Sequence, residues 1–160
     1  MTVIVAMKTP TGCVLGGDGR VTSDSSVLTD SFRKVRRYGS ALVAVYGSDG
    51  RALEDLAEAR ARSFDDVLEY VRGRHAARAD WGFVVYDALK HRLATLEANG
   101  SEYDHQCVAT EGAGGALALG ALSVLEHWQP AAAVRRAIRV ACKHNSSCGG
   151  RVLVVSARRR

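Results

Sequence analysis

After Met1 the chain reads Thr2-Val3-Ile4-Val5-Ala6-Met7-Lys8-Thr9-Pro10-Thr11-Gly12-Cys13-Val14-Leu15-Gly16-Gly17-Asp18-Gly19. Val3 to Met7 is apolar at every position, the pattern of a strand covered on both faces. Thr9-Pro10-Thr11-Gly12 puts proline second and glycine fourth in a four-residue turn, and Cys13-Val14-Leu15 supplies the returning strand. A hairpin is expected. It runs into three glycines around Asp18, which permit a sharp turn and close backbone approach.

Working outward, further strand-like runs are Arg33 to Tyr38, Ala41 to Tyr46, Trp81 to Tyr86, His91 to Leu96 and Arg151 to Ser156, separated by turn chemistry. Helical periodicity occupies the middle: Leu53, Leu56 and Ala57, then Phe64, Val67, Leu68 and Val71. Ser63 with Asp66 has the pattern of an N-terminal capping box. Asp65 and Asp66 lie at that helix's positive end, and Arg72, Arg74, His75 and Arg78 at its negative end. Ala116 to Leu125 is apolar almost all round, so as a helix it is expected between layers or against a neighbouring subunit. Pro130 opens a last helix, with Val134, Ile138 and Ala141 inward and Arg135, Arg136, Arg139 and Lys143 outward. Helices arrive in pairs rather than alternating with strands, which disfavours a parallel doubly wound sheet. Two stacked antiparallel sheets between helical layers, an α+β fold, fit this order.

The 160 residues suit one domain, residues 1–160, and 47% hydrophobic with 24% charged residues excludes a disordered or low-complexity chain. Lys and Arg number 22 against 17 acids, and the excess sits in Arg33, Lys34, Arg36, Arg37 and the tail Arg158 to Arg160. That tail is expected to be flexible, and a positive charge this local gives no reason to expect a nucleic-acid partner. Cys13, Cys107, Cys142 and Cys148 form no CxxC pair, so reduced thiols are expected. The five histidines include no HExxH, so neither a metal nor a cofactor is expected. The longest charge-free apolar stretch, Gly112 to Leu125, has 14 residues, short of the roughly 18 of a membrane span. No basic region precedes the first apolar run, so no export signal is read and a cytoplasmic location is expected.

Chemistry begins at Thr2. Removal of Met1 would expose a threonine carrying its own α-amine, so that a hydroxyl nucleophile and a base of pKa near ~8 share one residue. Alone, a Met-Thr start says little, Gly-Gly-Asp-Gly reads as a turn, and the basic run reads as a solvated strand. Together they change the balance. Asp18 follows sixteen residues after Thr2, and Lys34 sixteen after Asp18. Returning strands could set an Asp-Lys pair beside the Thr2 hydroxyl, where the lysine's field favours proton loss.

At these residues the chain resembles the proteasome β-subunit superfamily of N-terminal-nucleophile threonine peptidases, its N-terminal third most like bacterial HslV-type peptidases. The matching elements are Thr2-Val3-Ile4-Val5, Gly16-Gly17-Asp18-Gly19-Arg20-Val21-Thr22 and Arg33-Lys34-Val35-Arg36-Arg37. The resemblance implies a four-layer αββα sandwich. It implies that Thr2 is the nucleophile, that its amine is the base, and that Asp18 and Lys34 support them. Thr22 would line the substrate channel, Val45 the first specificity pocket, and Gly47 would supply the oxyanion-hole amide. Gly112-Ala113-Gly114-Gly115 stands where the superfamily has Gly-Ser-Gly-Gly, so Ala113 replaces a serine. Asn145-Ser146-Ser147-Cys148-Gly149-Gly150 resembles the Asp-x-x-Ser-Gly-Gly loop, with Asn145 for the acid and Cys148 for the serine. The implied assembly is a stacked double ring of twelve or fourteen copies enclosing polypeptide substrates, with an ATP-dependent unfoldase as candidate partner. Ala113 and Asn145 keep open a catalytically silent ring-forming scaffold, and a small-molecule amidohydrolase with the same nucleophile is the third alternative.

Overall fold

The computed structural model describes residues 2–23, 26–48, 50–74, 80–125 and 127–160. The opening hairpin is β1 (Ile4–Thr9) and β2 (Gly12–Gly17), with Ile4 opposite Gly17 and Thr9 opposite Gly12. A short pair follows, β3 (Val21–Ser23) and β4 (Ser26–Thr29), then β5 (Val35–Tyr38) and β6 (Ala41–Gly47). Helices α1 (Ala52–Glu58) and α2 (Phe64–Gly73) lead to β7 (Trp81–Asp87), β8 (Arg92–Glu97), β9 (Glu102–His105) and β10 (Val108–Glu111). Then come α3 (Gly115–Leu122), α4 (Pro130–His144) and β11 (Leu153–Arg158). One sheet has the order β10-β1-β2-β11 and the other β5-β6-β7-β8-β9, and neighbouring strands run antiparallel throughout.

Strand alternation divides the apolar residues among three cores. In β6, Ala41, Val43 and Val45 turn toward Leu53, Leu56, Phe64 and Val67 of the α1–α2 layer, while Leu42, Ala44 and Tyr46 face the other sheet. In β1, Ile4 and Ala6 join the space between sheets, and Val5, with Val3 just ahead of the strand, packs with Ala118, Val134 and Ile138 of the α3–α4 layer. The unbroken apolar run is thus a strand used on both faces, and each fully buried aliphatic side chain contributes about 1.5–3 kcal/mol. The layers stack αββα, the α+β sandwich expected.

The capping box is present. Ser63 Oγ accepts from the Asp66 amide at 3.2 Å, and Asp66 Oδ2 accepts from the Ser63 amide at 2.9 Å. His75 and Arg78, placed at this helix's far end from sequence, lie outside the described residues. α4 follows its pattern, with Pro130 in the first turn and Val134, Ile138 and Ala141 buried. Of the apolar helix read from Ala116 to Leu125, α3 buries Gly115, Ala118 and Leu122 within this chain, while Leu117 and Leu119 are exposed on its outer face.

Two further differences concern strands. β3, β4, β9 and β10 went unread because their polar, partly exposed residues show no apolar alternation. The last strand lies two residues further on than expected, which corrects the flexible tail. Arg158 pairs opposite Gly12, the Arg159 amide donates to the Thr11 carbonyl at 2.8 Å, and the Arg160 amide to Ala88 at 2.9 Å. Open backbone groups on the turn after β1 and beyond β7 recruit the tail whatever its charge. Among the described residues, no helix is long and apolar enough to cross a membrane.

Ser63→Ala removes the acceptor of the capping box. It is expected to cost about 1 kcal/mol, and thermal unfolding followed by circular dichroism should register a drop of roughly 2–4 °C.

Candidate active site

β2 ends at Gly17, and the chain turns so that Asp18 lies against the start of β1. The Asp18 amide donates to the Val3 carbonyl at 3.2 Å, and the Val3 amide donates back to Asp18 Oδ1 at 3.0 Å. The same oxygen accepts from Lys34 Nζ at 2.7 Å and, at the longer distance of 3.4 Å, from Thr2 Oγ1. Asp18 Oδ2 accepts from the Gly149 amide at 2.9 Å, and Lys34 Nζ also donates to the Arg20 carbonyl at 2.6 Å. Thr2, Asp18 and Lys34 are 3%, 1% and 4% exposed, so these bonds form out of water, where each is worth more than on the surface. Burial pulls the Lys34 ammonium below its ordinary pKa, and the Asp18 carboxylate pushes the other way. The three sequence candidates are therefore one cluster centred on Asp18.

Glycines shape the backbone around Thr2. Gly112 has φ +82°, and a β-carbon there would stand 2.3 Å from the Thr2 carbonyl oxygen. The Gly114 amide donates to that oxygen at 3.2 Å. Gly47, at φ +86°, pairs with Trp81 across the β6–β7 ladder, and a β-carbon there would meet the Asp80 carbonyl at 2.0 Å. A cleft of about 420 Å³ opens here, and its walls bring together Thr2, Thr22, Lys34, Val45 and Gly47. Asp18 lies behind it. A slightly larger hollow, about 480 Å³, lies between the β5 and β11 edges among Arg33, Arg36, Arg37 and Arg151, away from Thr2.

The second-half candidates are arranged differently. Ala113 is exposed, and its carbonyl accepts from Asn145 Nδ2 at 2.9 Å. Asn145 also caps its own turn, accepting the Ser147 amide on Oδ1 at 2.9 Å and the Cys148 amide on its carbonyl at 3.0 Å. Cys148 is 1% exposed beside Gly114, where an added β-carbon would stand 2.9 Å from its sulfur. Burial, reinforced by Asp18, pushes its thiol up to about 11, so it is a neutral group at pH 7. Asn145 thus holds the loop's own turn and ties it to the Ala113 backbone, and the loop reaches Asp18 through the Gly149 amide.

That amide received no role from the sequence, although Gly149 was part of the quoted motif. Arg20 was missed in the same way. Its guanidinium grips Asp30 at 2.8 and 3.2 Å and donates to the Ser146 carbonyl at 2.9 Å, strapping the 145–150 loop down. The guanidinium holds the Asp30 carboxyl below the usual carboxylate range. A β-carbon on Gly149 would meet the guanidinium carbon at 2.6 Å, so glycine is the residue that lets loop and strap close together. Asp30 left no signal in the sequence.

A four-layer αββα sandwich, with a threonine at the head of its first strand turned to a buried Asp-Lys pair, defines the class of N-terminal-nucleophile hydrolases. The family described as "Proteasome subunit" matches residues 2–148, and the chain belongs to it. Among solved structures it is similar to Thiobacillus denitrificans BPH in complex with epoxomicin, at 14% identity and a TM-score of 0.82 over 99% of both chains. It is likewise similar to Thiobacillus denitrificans BPH itself, at 13% identity and TM-score 0.81 over 99% of this chain and 98% of that one. Eukaryotic HslV from Trypanosoma brucei follows at 17% and 0.76, over 98% of this chain and 99% of that one. At these identities the likeness speaks for the fold. No curated protein matches by sequence.

Lys34→Met would leave Asp18 as a buried carboxylate without its cation, an expected cost of about 3–5 kcal/mol in urea unfolding. Lys34→Met combined with Asp18→Asn should recover most of that loss, whereas Arg37→Ala on the exposed face of β5 should change stability by under about 0.5 kcal/mol.

Proposed function

We propose that this chain is a threonine-type endopeptidase acting on unfolded polypeptides, with Thr2 as nucleophile once Met1 is removed. The observation that carries the reading is the Thr2 hydroxyl, 3.4 Å from the carboxylate that Lys34 holds at 2.7 Å, at the wall of a cleft large enough for a peptide side chain. The freed α-amine takes the hydroxyl proton as Thr2 Oγ1 attacks the scissile carbonyl. The C–N bond then breaks, the leaving amine receives that proton, and water hydrolyses the ester left on Thr2 with the amine again as base. Lys34 lowers the cost of the developing alkoxide, Asp18 holds the ammonium in place, and the Gly47 amide is assigned to the oxyanion. While Met1 remains, the Thr2 nitrogen is an amide and no base exists.

Leu28, Phe32 and Val45 give the cleft apolar walls, and the two cations among its described lining residues, Arg20 and Lys34, are engaged by Asp30 and Asp18. An uncharged apolar side chain is therefore the substrate group that fits, with Thr22 beside the extended backbone. Leu117, Leu119, Val124 and Trp128 form exposed apolar surface on and after α3, which ring packing would cover. A double ring of twelve or fourteen copies in the cytoplasm, fed by an ATP-dependent unfoldase, is the setting we assign. A silent scaffold is the second reading, favoured by Asn145 binding the Ala113 carbonyl instead of adding a charge at the site. A small-molecule amidohydrolase would instead be an open monomer in native mass spectrometry.

Intact mass with N-terminal sequencing should show Thr2 as the first residue of the active form. Thr2→Ala is expected to keep the assembly and lower peptide hydrolysis about a thousandfold or more, while Thr2→Ser keeps part of it. Lys34→Ala should likewise abolish hydrolysis, and Arg37→Ala should leave most of it. Activity should rise with pH through the amine's pKa of about 8, and peptides cleaved after Leu or Val should outrun those cleaved after Asp. An epoxyketone, which can bridge hydroxyl and amine, should add to the processed form alone. Undiminished hydrolysis by Thr2→Ala would overturn the reading.

A further inference from the structure

Behind Gly47, the seam between the two sheets carries a polar cluster that the mechanism above does not use. Tyr46, Gly82 and Glu97 stand side by side on β6, β7 and β8, and the missing side chain at Gly82 lets the Tyr46 ring lie across it. A β-carbon on Gly82 would meet the Tyr46 hydroxyl at 2.4 Å. Tyr46 is 9% exposed, and its hydroxyl lies toward Glu97 without a hydrogen bond of ordinary geometry to any described residue. Glu111 enters the seam from the other sheet, level with Ile4. Thr95 Oγ1 donates to Glu111 Oε1 at 3.2 Å and lies 2.8 Å from His105 Nε2. Thr95 Oγ1 thus joins Glu111 to His105 through one hydroxyl.

We propose that Glu111, facing Glu97 and the Tyr46 hydroxyl between the sheets, forms a latch that is closed while its carboxyl holds a proton and that positions Gly47 and Gly112 around Thr2. Tyr46 directly precedes Gly47, and Glu111 directly precedes Gly112, so the seam's width at these carboxyls sets how the two strand ends meet at the nucleophile. With Glu111 protonated, the Tyr46 hydroxyl donates to Glu97 and the seam is closed. With Glu111 ionised, its negative charge faces Glu97 in a half-buried space and pushes β10 away from β8. Charged groups around the latch are Glu97 on β8, Asp80 before β7, His105 on β9 and, acting on His105, Asp104. Burial raises the Glu111 carboxyl, Thr95 partly offsets this, and Glu97 adds to the rise. Burial followed by Glu97 holds the Tyr46 phenol far above its ordinary range, so it stays a donor. Burial lowers His105, which leaves it without a charge to neutralise either carboxylate at neutral pH.

A carboxyl raised by folding is still protonated where the unfolded chain has ionised. Stability is therefore lost as pH climbs from the ordinary glutamate range to the raised value, and the loss is complete above it. Glu111→Gln keeps the shape and removes that loss. Its melting temperature should match the parent's near pH 4 and exceed it by roughly 2–4 °C at pH 8. Glu97→Gln should do the same, and the double variant should add little, since either change alone ends the repulsion. Exchange of the Gly47 amide, read by mass spectrometry at pH 8, should slow in each variant. The catalytic consequence rests on the peptidase reading: the kcat ratio of Glu111→Gln to parent should climb several-fold between acid and pH 8 with KM unchanged. Superimposable pH–stability curves, additive single variants or unchanged Gly47 exchange would each overturn the latch. Separated curves and slowed exchange without any peptide hydrolysis would instead sink the peptidase reading and leave the latch standing.

Discussion

A carboxylate buried to 1% exposure must have each of its oxygens satisfied, and Asp18 meets this demand by drawing four separate parts of the chain to one point. Oδ1 takes the Lys34 ammonium, the Val3 amide and the Thr2 hydroxyl, and Oδ2 takes the Gly149 amide. The start of β1, the end of β2, the approach to β5 and the loop after α4 are thereby fixed relative to one another. The ordering runs both ways. The hairpin register that sets Ile4 opposite Gly17 delivers Asp18 to Thr2, and the cost of leaving Asp18 unpaired prevents that register from slipping.

What could be read in the sequence follows from how local each signal is. The β1–β2 hairpin, the Ser63 capping box and the inward stripe of α4 depend on residues within a few positions of each other, and each is found where its pattern put it. The polar strands β9 and β10 carry no such pattern, because Glu102, Tyr103 and Asp104 sit at a sheet edge with little to bury. The site divides along the same line. Thr2, Asp18 and Lys34 recur at a spacing of two strand returns, so the cluster was legible. The Gly149 amide reaches Asp18 across 131 residues, and the Arg20–Asp30 grip that holds its loop belongs to no repeating pattern. Contacts made only when distant layers close leave glycines as their trace, as at Gly112 and Gly149, and a glycine does not announce which backbone will approach it. The tail was misread for a related reason: the three arginines reported charge, while the open carbonyls that hold their backbone lie on the Thr11 turn and at Ala88.

The replacements at Ala113, Asn145 and Cys148 affect charge more than shape. Asn145 keeps the loop turn through the Ser147 and Cys148 amides, and the neutral Cys148 thiol fills the space beside Gly114. Neither adds a charge. Among the described ion pairs, Lys34–Asp18 is the one with both side chains within 5% of full burial, and the others are substantially exposed. Exposed pairs are weakened by mobile ions and contribute little, whereas the buried pair lies beyond the reach of screening. Among the described residues, one fixed cation against one fixed anion is thus the buried pair whose field acts on the Thr2 hydroxyl. With no second carboxylate supplied by the loop, any tuning of that field has to come from geometry, through the backbone stretches ending at Gly47 and Gly112 that determine how squarely the hydroxyl faces Lys34.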